Sequence, residues 1–441
     1  MKYLKQFFNA KAAAPIASID TKTEVDSPCF IEQTEQPLSV LQRFVPIRGL
    51  DSRTVKLLPH KTLHFAAGDT VFLIHQATSS VWYLFEGTLT MVPDGAAPFE
   101  MQADSLRAHL PINSGKKFGA SGVAQSYVKI LEVSADLIAH WTSQSKQQEQ
   151  CVVIQDLELP EQVNESLFFT QFAKAYRENK LTLPTLPDVA LKLKQAMAKE
   201  IDIATAARII QVDPAITGSL IQIANSPLYS PISPVTNCHD AVTRLGLTAT
   251  RSLVLGISLK QLFRSNNPKL MKAMQSLWKK SLYLSSLSFV LAQQTDDVNP
   301  EDALLAGLIS DIGVIPLLYF AEQQGENDID ITQLEETIPL LRGPVGRLVL
   351  HTLGFSETLT QIPYHAEDWY FDNNDTLGLI DIVILAKLHS FIGSERSKTL
   401  PAICSIPAYT KLNDGKLNPD LSLQVLRNAQ QRIQAAMNIL S

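Results

Sequence analysis

A chain of 441 residues is too long for one ordinary core and points to two or three domains. Hydrophobic residues are 45% and charged residues 19%, a globular composition that excludes disorder throughout. The net charge of −6 gives no overall electrostatic footprint for DNA or RNA, and the four scattered cysteines (Cys29, Cys151, Cys238, Cys404) exclude a zinc ribbon or a disulfide framework.

No apolar run approaches the roughly 20 residues that span a bilayer, and residues 1–14 lack the continuous apolar stretch of a leader. The expectation is a cytoplasmic protein without membrane association. Residues 1–38 mix Pro, Thr, Ser and charge without a period and read as an irregular lead-in. Residues 39–141 have β texture. Short apolar runs at 62–65, 71–74, 81–85, 88–92 and 128–133 are separated by turn signals such as Gly68-Asp69 and Glu86-Gly87. Many short strands at close spacing predict a sandwich or barrel. Ser134 reads as the N-cap of a helix toward Gln150, and the polar stretch 142–180 as a helical connector.

From 181 to 441 the texture is helical. Leu183-Thr-Leu-Pro-Thr-Leu-Pro187 is held extended by its prolines, and Asp188 and Asp202 follow as caps. Asp213-Pro214 and Asn299-Pro300 are cap-plus-proline starts, where the missing N–H costs nothing. Thr332 and Glu335 form a capping box, Pro344 reads as opening a further helix, and Gly354 as closing it. A last helix is expected from Asp420 to about Leu440. The fold class is therefore multidomain, an N-terminal β-roll or jelly roll plus a C-terminal all-α bundle.

Two resemblances sharpen this. Phe65-Ala-Ala-Gly-Asp69, Val71-Phe72 and Val81-Trp-Tyr-Leu-Phe-Glu-Gly87 with the run at 88–92 resemble the strands and tight turns of the cyclic-nucleotide-binding domain family. That family holds its cyclic phosphate on a helix N-terminus and an Arg, after a Phe-Gly-Glu sequence. Here the matching positions are Phe118, Gly119 and Ala120, no Arg lies between Gly119 and Val133, and the nearby cations are Lys116, Lys117 and Lys129. The resemblance thus implies a degenerate cassette, either a sensor with altered chemistry or a scaffold for packing and dimerisation.

The second resemblance is to the HDOD family, relatives of the HD phosphohydrolases that act in bacterial signal transduction. It rests on Leu183-Pro184, Leu186-Pro187, Asp213-Pro214-Ala-Ile216, Ile223-Ala-Asn225-Ser226, Asp240-Ala241, Leu245-Gly246, Leu277-Trp278, Ser281 and Ala306-Gly-Leu-Ile-Ser310-Asp311-Ile-Gly313. HD hydrolases hold a divalent metal with His, His-Asp and a distant Asp. At the matching positions this sequence has Lys280-Ser281 and Ser310-Asp311, so the resemblance implies a non-catalytic module. Lys280 would repel a metal or pair with Asp311. Asn225, Ser226, Lys280, Ser310, Asp311, His365 and Glu367 are the candidate cleft residues, with Asn225 either locking a loop or facing the cleft.

No cofactor is expected, and a divalent metal, if bound, would sit on Asp311 and His365. The expected function is ligand or partner binding in signalling, with a signalling protein or a small nucleotide-like molecule as partner. The β-roll or the connector helix would offer a route to oligomers. The alternatives are a metal-dependent phosphohydrolase with a reduced site at Asp311 and His365, and a pure interaction scaffold.

Overall fold

The computed structural model describes residues 24–32, 36–45, 47, 52–93, 97–134, 168, 171–172, 174–175, 185–197, 201–226, 229, 233–265, 267–323, 331–372, 376–392 and 394–412. The helix expected after Ser134, most of the connector, Leu183-Pro184, the capping-box side chains and the last helix lie outside the described residues. The chain divides into two compact units. One comprises Met1–Gln150, Trp369–Leu377 and Leu388–Gln424, the other Cys151–Asp368, Gly378–Lys387 and Val425–Ser441.

The first unit holds two four-stranded antiparallel sheets. Its elements are β1 (Phe30–Glu32), α1 (Leu38–Leu41), α2 (Ser52–Leu57), β2 (His60–Phe65), β3 (Thr70–Phe72), β4 (Ser80–Glu86), β5 (Thr88–Pro93), β6 (Phe99–Gln102), β7 (Ala120–Ala124) and β8 (Val128–Ser134). One sheet has the order β1-β2-β8-β4 and the other β3-β7-β5-β6. Alternating side chains of both fill the core with Phe65, Val71, Phe72, Val81, Tyr83, Leu89 and Met91. Phe72 stacks on Phe118 at 4.3 Å, and Trp82 meets both rings edge-on. Gly87, at φ +89°, turns β4 into β5, and a Cβ there would lie 2.3 Å from the Tyr127 carbonyl oxygen.

Two expectations are corrected here. The lead-in is not wholly irregular, since β1 pairs Phe30 with His64. Ser134 ends β8 opposite Ser80, and the helix expected beyond it lies outside the described residues. The β-unit also extends beyond residue 141. Arg107 Nη2 donates to the Ser397 carbonyl (3.1 Å), and Asp372 pairs with Lys116 (2.8 Å) and Lys411 (3.2 Å). Leu400, Cys404, Ile406 and Tyr409 are buried apolar residues that need this cover as much as they provide it.

The second unit is helical. It comprises α3 (Asp188–Met197), α4 (Ile203–Ile210), α5 (Pro214–Ala224), α6 (Cys238–Leu259), α7 (Pro268–Ala292), α8 (Pro300–Ile309), α9 (Val314–Gln323), α10 (Ile331–Thr352), α11 (Glu357–Thr360), α12 (Ile362–His365) and the start of α13 (Leu379–Ser390). In the β-unit's C-terminal segment follows α14 (Pro407–Thr410).

Local chemistry sets these helices. Asp202 accepts from Thr205 N, Asp213 from Ala215 N and Ile216 N, and Asn299 from Glu301 N and Asp302 N. Asn237 and Asn267 do the same for α6 and α7. Gly246, at φ +80°, breaks α6, and Gly354, at φ +68°, follows α10. Pro344 does not open a helix but lies inside α10, where buried Leu341, Val345, Val349 and Leu350 carry the helix through the missing hydrogen bond. The described connector residue Phe172 is buried in this unit against Phe168 and Phe320.

Candidate functional site

The polar centre of the helical unit is built on α8. From Ala303 to Ile309 every residue of that helix is buried. Gly307 lets α7 approach, for a Cβ there would meet the Leu284 carbonyl oxygen at 2.6 Å. The helix ends at Ser310, whose hydroxyl donates back to the Gly307 carbonyl (2.9 Å). Asp311 follows in the turn into α9. Gly313 closes that turn against α10, where a Cβ would fall 2.0 Å from the Arg342 carbonyl oxygen and 2.4 Å from Gly346 N. This close approach brings the Arg342 side chain to Asp311.

Four charged side chains meet there. Arg342 Nη1 donates to Asp311 Oδ1 (2.8 Å), and Arg342 Nη2 pairs with Glu367 Oε2 (3.0 Å). Lys387 Nζ donates to Asp311 Oδ2 and lies 3.6 Å from Glu367 Oε1. Asp311 and Arg342 are each 8% exposed and Lys387 3%. Two carboxylates and two cations balance, which burial at this depth requires. Burial alone would raise the Asp311 pKa, but the charges of Lys387 and then Arg342, with their hydrogen bonds, outweigh it and hold the carboxyl far below the usual range.

The residues expected to share a cleft separate into four places. Asp311 and Glu367 do come together, through Arg342 and Lys387. Lys280 does not join them: on α7, Trp278, Ser281 and Leu282 take the inward positions and leave Lys280 exposed. Asp311 has cationic partners, as Lys280 was expected to be, but they are Arg342 and Lys387. His365, 1% exposed at the end of α12, has its Nδ1 3.2 Å from Asp368 Oδ2.

Asn225 caps the end of α5 and spans the following loop. Its Nδ2 donates to the Val235 carbonyl and its Oδ1 accepts from Val235 N, both at 2.8 Å. Arg244 Nη1 donates to the same Oδ1 and to the Ala224 carbonyl, each at 3.3 Å, so the amide oxygen and one amide N–H are engaged in the loop. Ser226, beside it, is buried, and its backbone N–H donates to Ile223 O.

In the β-unit, Phe118 and Ala120 are core residues, and Ala120–Ala124 is a strand where a phosphate-binding helix would start. A Cβ on Gly119 would meet the Cys404 carbonyl oxygen at 2.1 Å, so that face is covered by the chain itself. Lys129 pairs with Glu86 at 2.6 Å. Burial pushes the Cys404 thiol up to about 12 and, in the helical unit, raises that of Cys238.

A metal of the HD type does not fit these residues. Both Asp311 oxygens accept from protein cations, and two positive charges stand within contact of the site. Among the described residues no group of three or more His, Cys, Asp or Glu is placed to hold a metal ion. One stretch, Pro300–Gln323, has the length and apolarity of a membrane span, and nearly all of it is buried inside the helical unit.

Sequence reasoning missed Arg342 and Lys387. Lys387 left a signal, a lone cation within the apolar run Ile382-Val-Ile-Leu-Ala-Lys387-Leu388. Arg342 left none beyond its place before Gly343-Pro344.

The HDOD domain family matches residues 183–351. No curated protein matches the chain. A protein named as a metal-dependent phosphohydrolase from Shewanella amazonensis SB2B is 24% identical over 63% of this chain and 98% of its own, with a TM-score of 0.49. An HDOD domain protein with unknown function from Geobacter sulfurreducens is 20% identical over 62% of this chain and 97% of its own, with a TM-score of 0.48. A protein named as a cyclic nucleotide-binding protein from Geobacter metallireducens GS-15 is 13% identical over 26% of this chain and 89% of its own, with a TM-score of 0.20. Asp213-Pro214, Asn225-Ser226, Ser310-Asp311 and Arg342 fall inside the matched span, Glu367 and Lys387 beyond it. Residues 183–351 of this chain are an HDOD domain.

Proposed function

We propose that the chain is a cytoplasmic signal-transduction protein in which a non-catalytic HDOD module binds a ligand or protein partner and passes that event to a degenerate cyclic-nucleotide-binding-like β-roll. One observation carries the non-catalytic part: Asp311, at the position of the HD aspartate, gives both carboxylate oxygens to Lys387 and Arg342. A hydrolase needs those oxygens for the metal that activates water. Lys387 and Arg342 supply the positive charge in its place, without an open coordination position.

Covalent connectivity supports the coupling part. The chain passes from the helical to the β-unit after Asp368 and again after Lys387. Glu367 and Lys387, members of the same ionic cluster, stand at those two crossings. A ligand that rearranges the cluster would shift both crossing points at once, a two-state element of the kind signalling requires.

The test is elemental analysis of the purified full chain and of Asp311→Ala. Absence of stoichiometric metal from both supports the binding module. Stoichiometric metal in the wild type that is lost in the variant overturns it and restores the phosphohydrolase reading with Asp311 and His365.

A further inference from the structure

A second polar cluster lies on the sheet β1-β2-β8-β4 of the β-unit and takes in Lys129, one of the cations near the degenerate cassette. Register places one row across all four strands: Phe30 on β1 opposite His64 on β2, His64 opposite Lys129 on β8, and Lys129 opposite Glu86 on β4. Directly opposed residues share a face, so this row is contiguous. Glu32, two residues along β1 from Phe30, joins the same face. Tyr127, in the turn before β8, reaches the row from its end, and the close approach of Gly87 to the Tyr127 backbone fixes that turn.

The contacts form a chain of proton-handling groups. Tyr127 Oη lies 2.6 Å from His64 Nδ1. His64 Nε2, on the other side of the ring, lies 3.3 Å from Glu32 Oε2, at an angle that makes this an electrostatic contact rather than a hydrogen bond. A carboxylate on the Nε2 side favours the tautomer with its proton there and leaves Nδ1 to accept from the phenol. Lys129 Nζ pairs with Glu86 Oε2 at 2.6 Å. Its pKa is raised, first by the Glu86 hydrogen bond and then, against a burial cost, by the charges of Glu86, Tyr127 and Glu32. His64 is 5% exposed, whereas Tyr127 is 47% and Phe30 57% exposed, and the Phe30 ring stands edge-on to His64 at 5.1 Å.

A solvent-facing hydroxyl, a buried imidazole in contact with it and a carboxylate beyond the ring are the parts of a nucleophile with its base. The neighbouring acidic groups Glu32 and Glu86 disfavour an anionic donor, and exposed Phe30 offers an apolar surface to an uncharged one.

We propose that Tyr127 is a nucleophilic tyrosine that accepts an acyl group from an uncharged activated ester. The phenol oxygen attacks the ester carbonyl carbon while its proton passes to His64 Nδ1. The tetrahedral adduct collapses with cleavage of the bond to the leaving group, which departs with the electron pair and takes the proton from His64. The product is an O-acyl tyrosine and a free alcohol or phenol, with no oxidant or metal required. Glu32 stabilises the transient imidazolium.

The full-length protein, treated with p-nitrophenyl acetate, should release p-nitrophenolate in step with acetylation of the peptide carrying Tyr127, well ahead of the other tyrosine peptides in the same digest. Tyr127→Phe should remove that fast phase, and His64→Gln should slow it at least about tenfold. Glu32→Gln, a partly exposed position, should also slow it and decides the matter if His64→Gln fails to fold. Labelling of Tyr127 no faster than that of the other tyrosines, or unchanged in both His64→Gln and Glu32→Gln, overturns the proposal.

Discussion

Lys387 Nζ donates to Asp311 Oδ2 across 76 residues of sequence, inside a helical core where neither side chain has more than a trace of solvent. The pair is worth more as a constraint than as attraction. Two charges removed from water roughly recover their desolvation cost, but one left alone does not. Lys387→Met should therefore cost about 3–5 kcal/mol of stability, by leaving Asp311 and Glu367 with Arg342 alone. Asp311→Asn combined with Lys387→Met should recover part of it. Denaturant unfolding of the two single variants and the double variant checks this, and strictly additive losses would show that the pair is not coupled.

Acid stability should fall in two windows. Buried His389 has its pKa lowered to about 4 by burial. Between pH 4 and the unfolded value near 6.5 the unfolded state therefore binds the extra proton, and stability falls as pH drops through that range. The full shift corresponds to about 3 kcal/mol. Asp311 acts lower: its folded pKa is depressed, so its contribution is present above the unfolded value near 3.9 and is lost as pH falls further. His389→Gln should flatten the upper window and Asp311→Asn the lower one. Thermal melts from pH 7 to pH 2 separate the two, and a variant that flattened the other's window would contradict the assignment.

The helix starts were the most legible features of the sequence. Asp202, Asp213-Pro214 and Asn299-Pro300 carry the capping chemistry in adjacent residues, and the structure uses each as a cap. Strand β7 was not legible, since Ala120-Ser-Gly-Val-Ala124 has little β propensity. It is a strand because the Phe72 ring lies on Gly122, where a Cβ would be 2.3 Å from Phe72 Cζ. The three residues of β1 were hidden in polar surroundings for the same reason, that their pairing partner lies 34 residues away at His64. At the site, Asp311 could be found from its motif, but its partners could not. Ion pairing between residues 311, 342, 367 and 387 leaves no spacing or period, and Lys280 was the nearest cation in the family pattern rather than in space.

Asn225 should behave as a loop lock. Asn225→Ala removes two hydrogen bonds to Val235 and leaves a backbone N–H and a carbonyl there to find other partners, a loss of about 2–3 kcal/mol. Amide exchange at Val235 should quicken, while the exchange of α8 stays slow. Asn225→Asp keeps the acceptor and loses the donor, so it should fall between wild type and Ala. Unchanged exchange at Val235 in the Ala variant would leave the amide free for a role outside the loop.

Gly313→Ala is the most direct probe of how the ionic cluster is assembled. A Cβ at this position would lie 2.0 Å from the Arg342 carbonyl oxygen and 2.4 Å from Gly346 N, both backbone atoms of α10 that cannot rotate away. The variant must push α10 from the 310–313 turn, and Arg342 moves with it. The expected cost is about 3 kcal/mol, at the upper end for overpacking, because the displacement also strains the Arg342–Asp311 hydrogen bond. Gly218, on α5, has nothing within 4 Å of its added Cβ and serves as the control. Gly218→Ala should be neutral or stabilising, since alanine favours the helix. Comparing the two by denaturant unfolding isolates the close approach from helix propensity, and equal stabilities would mean that α10 is free to shift without disturbing Asp311.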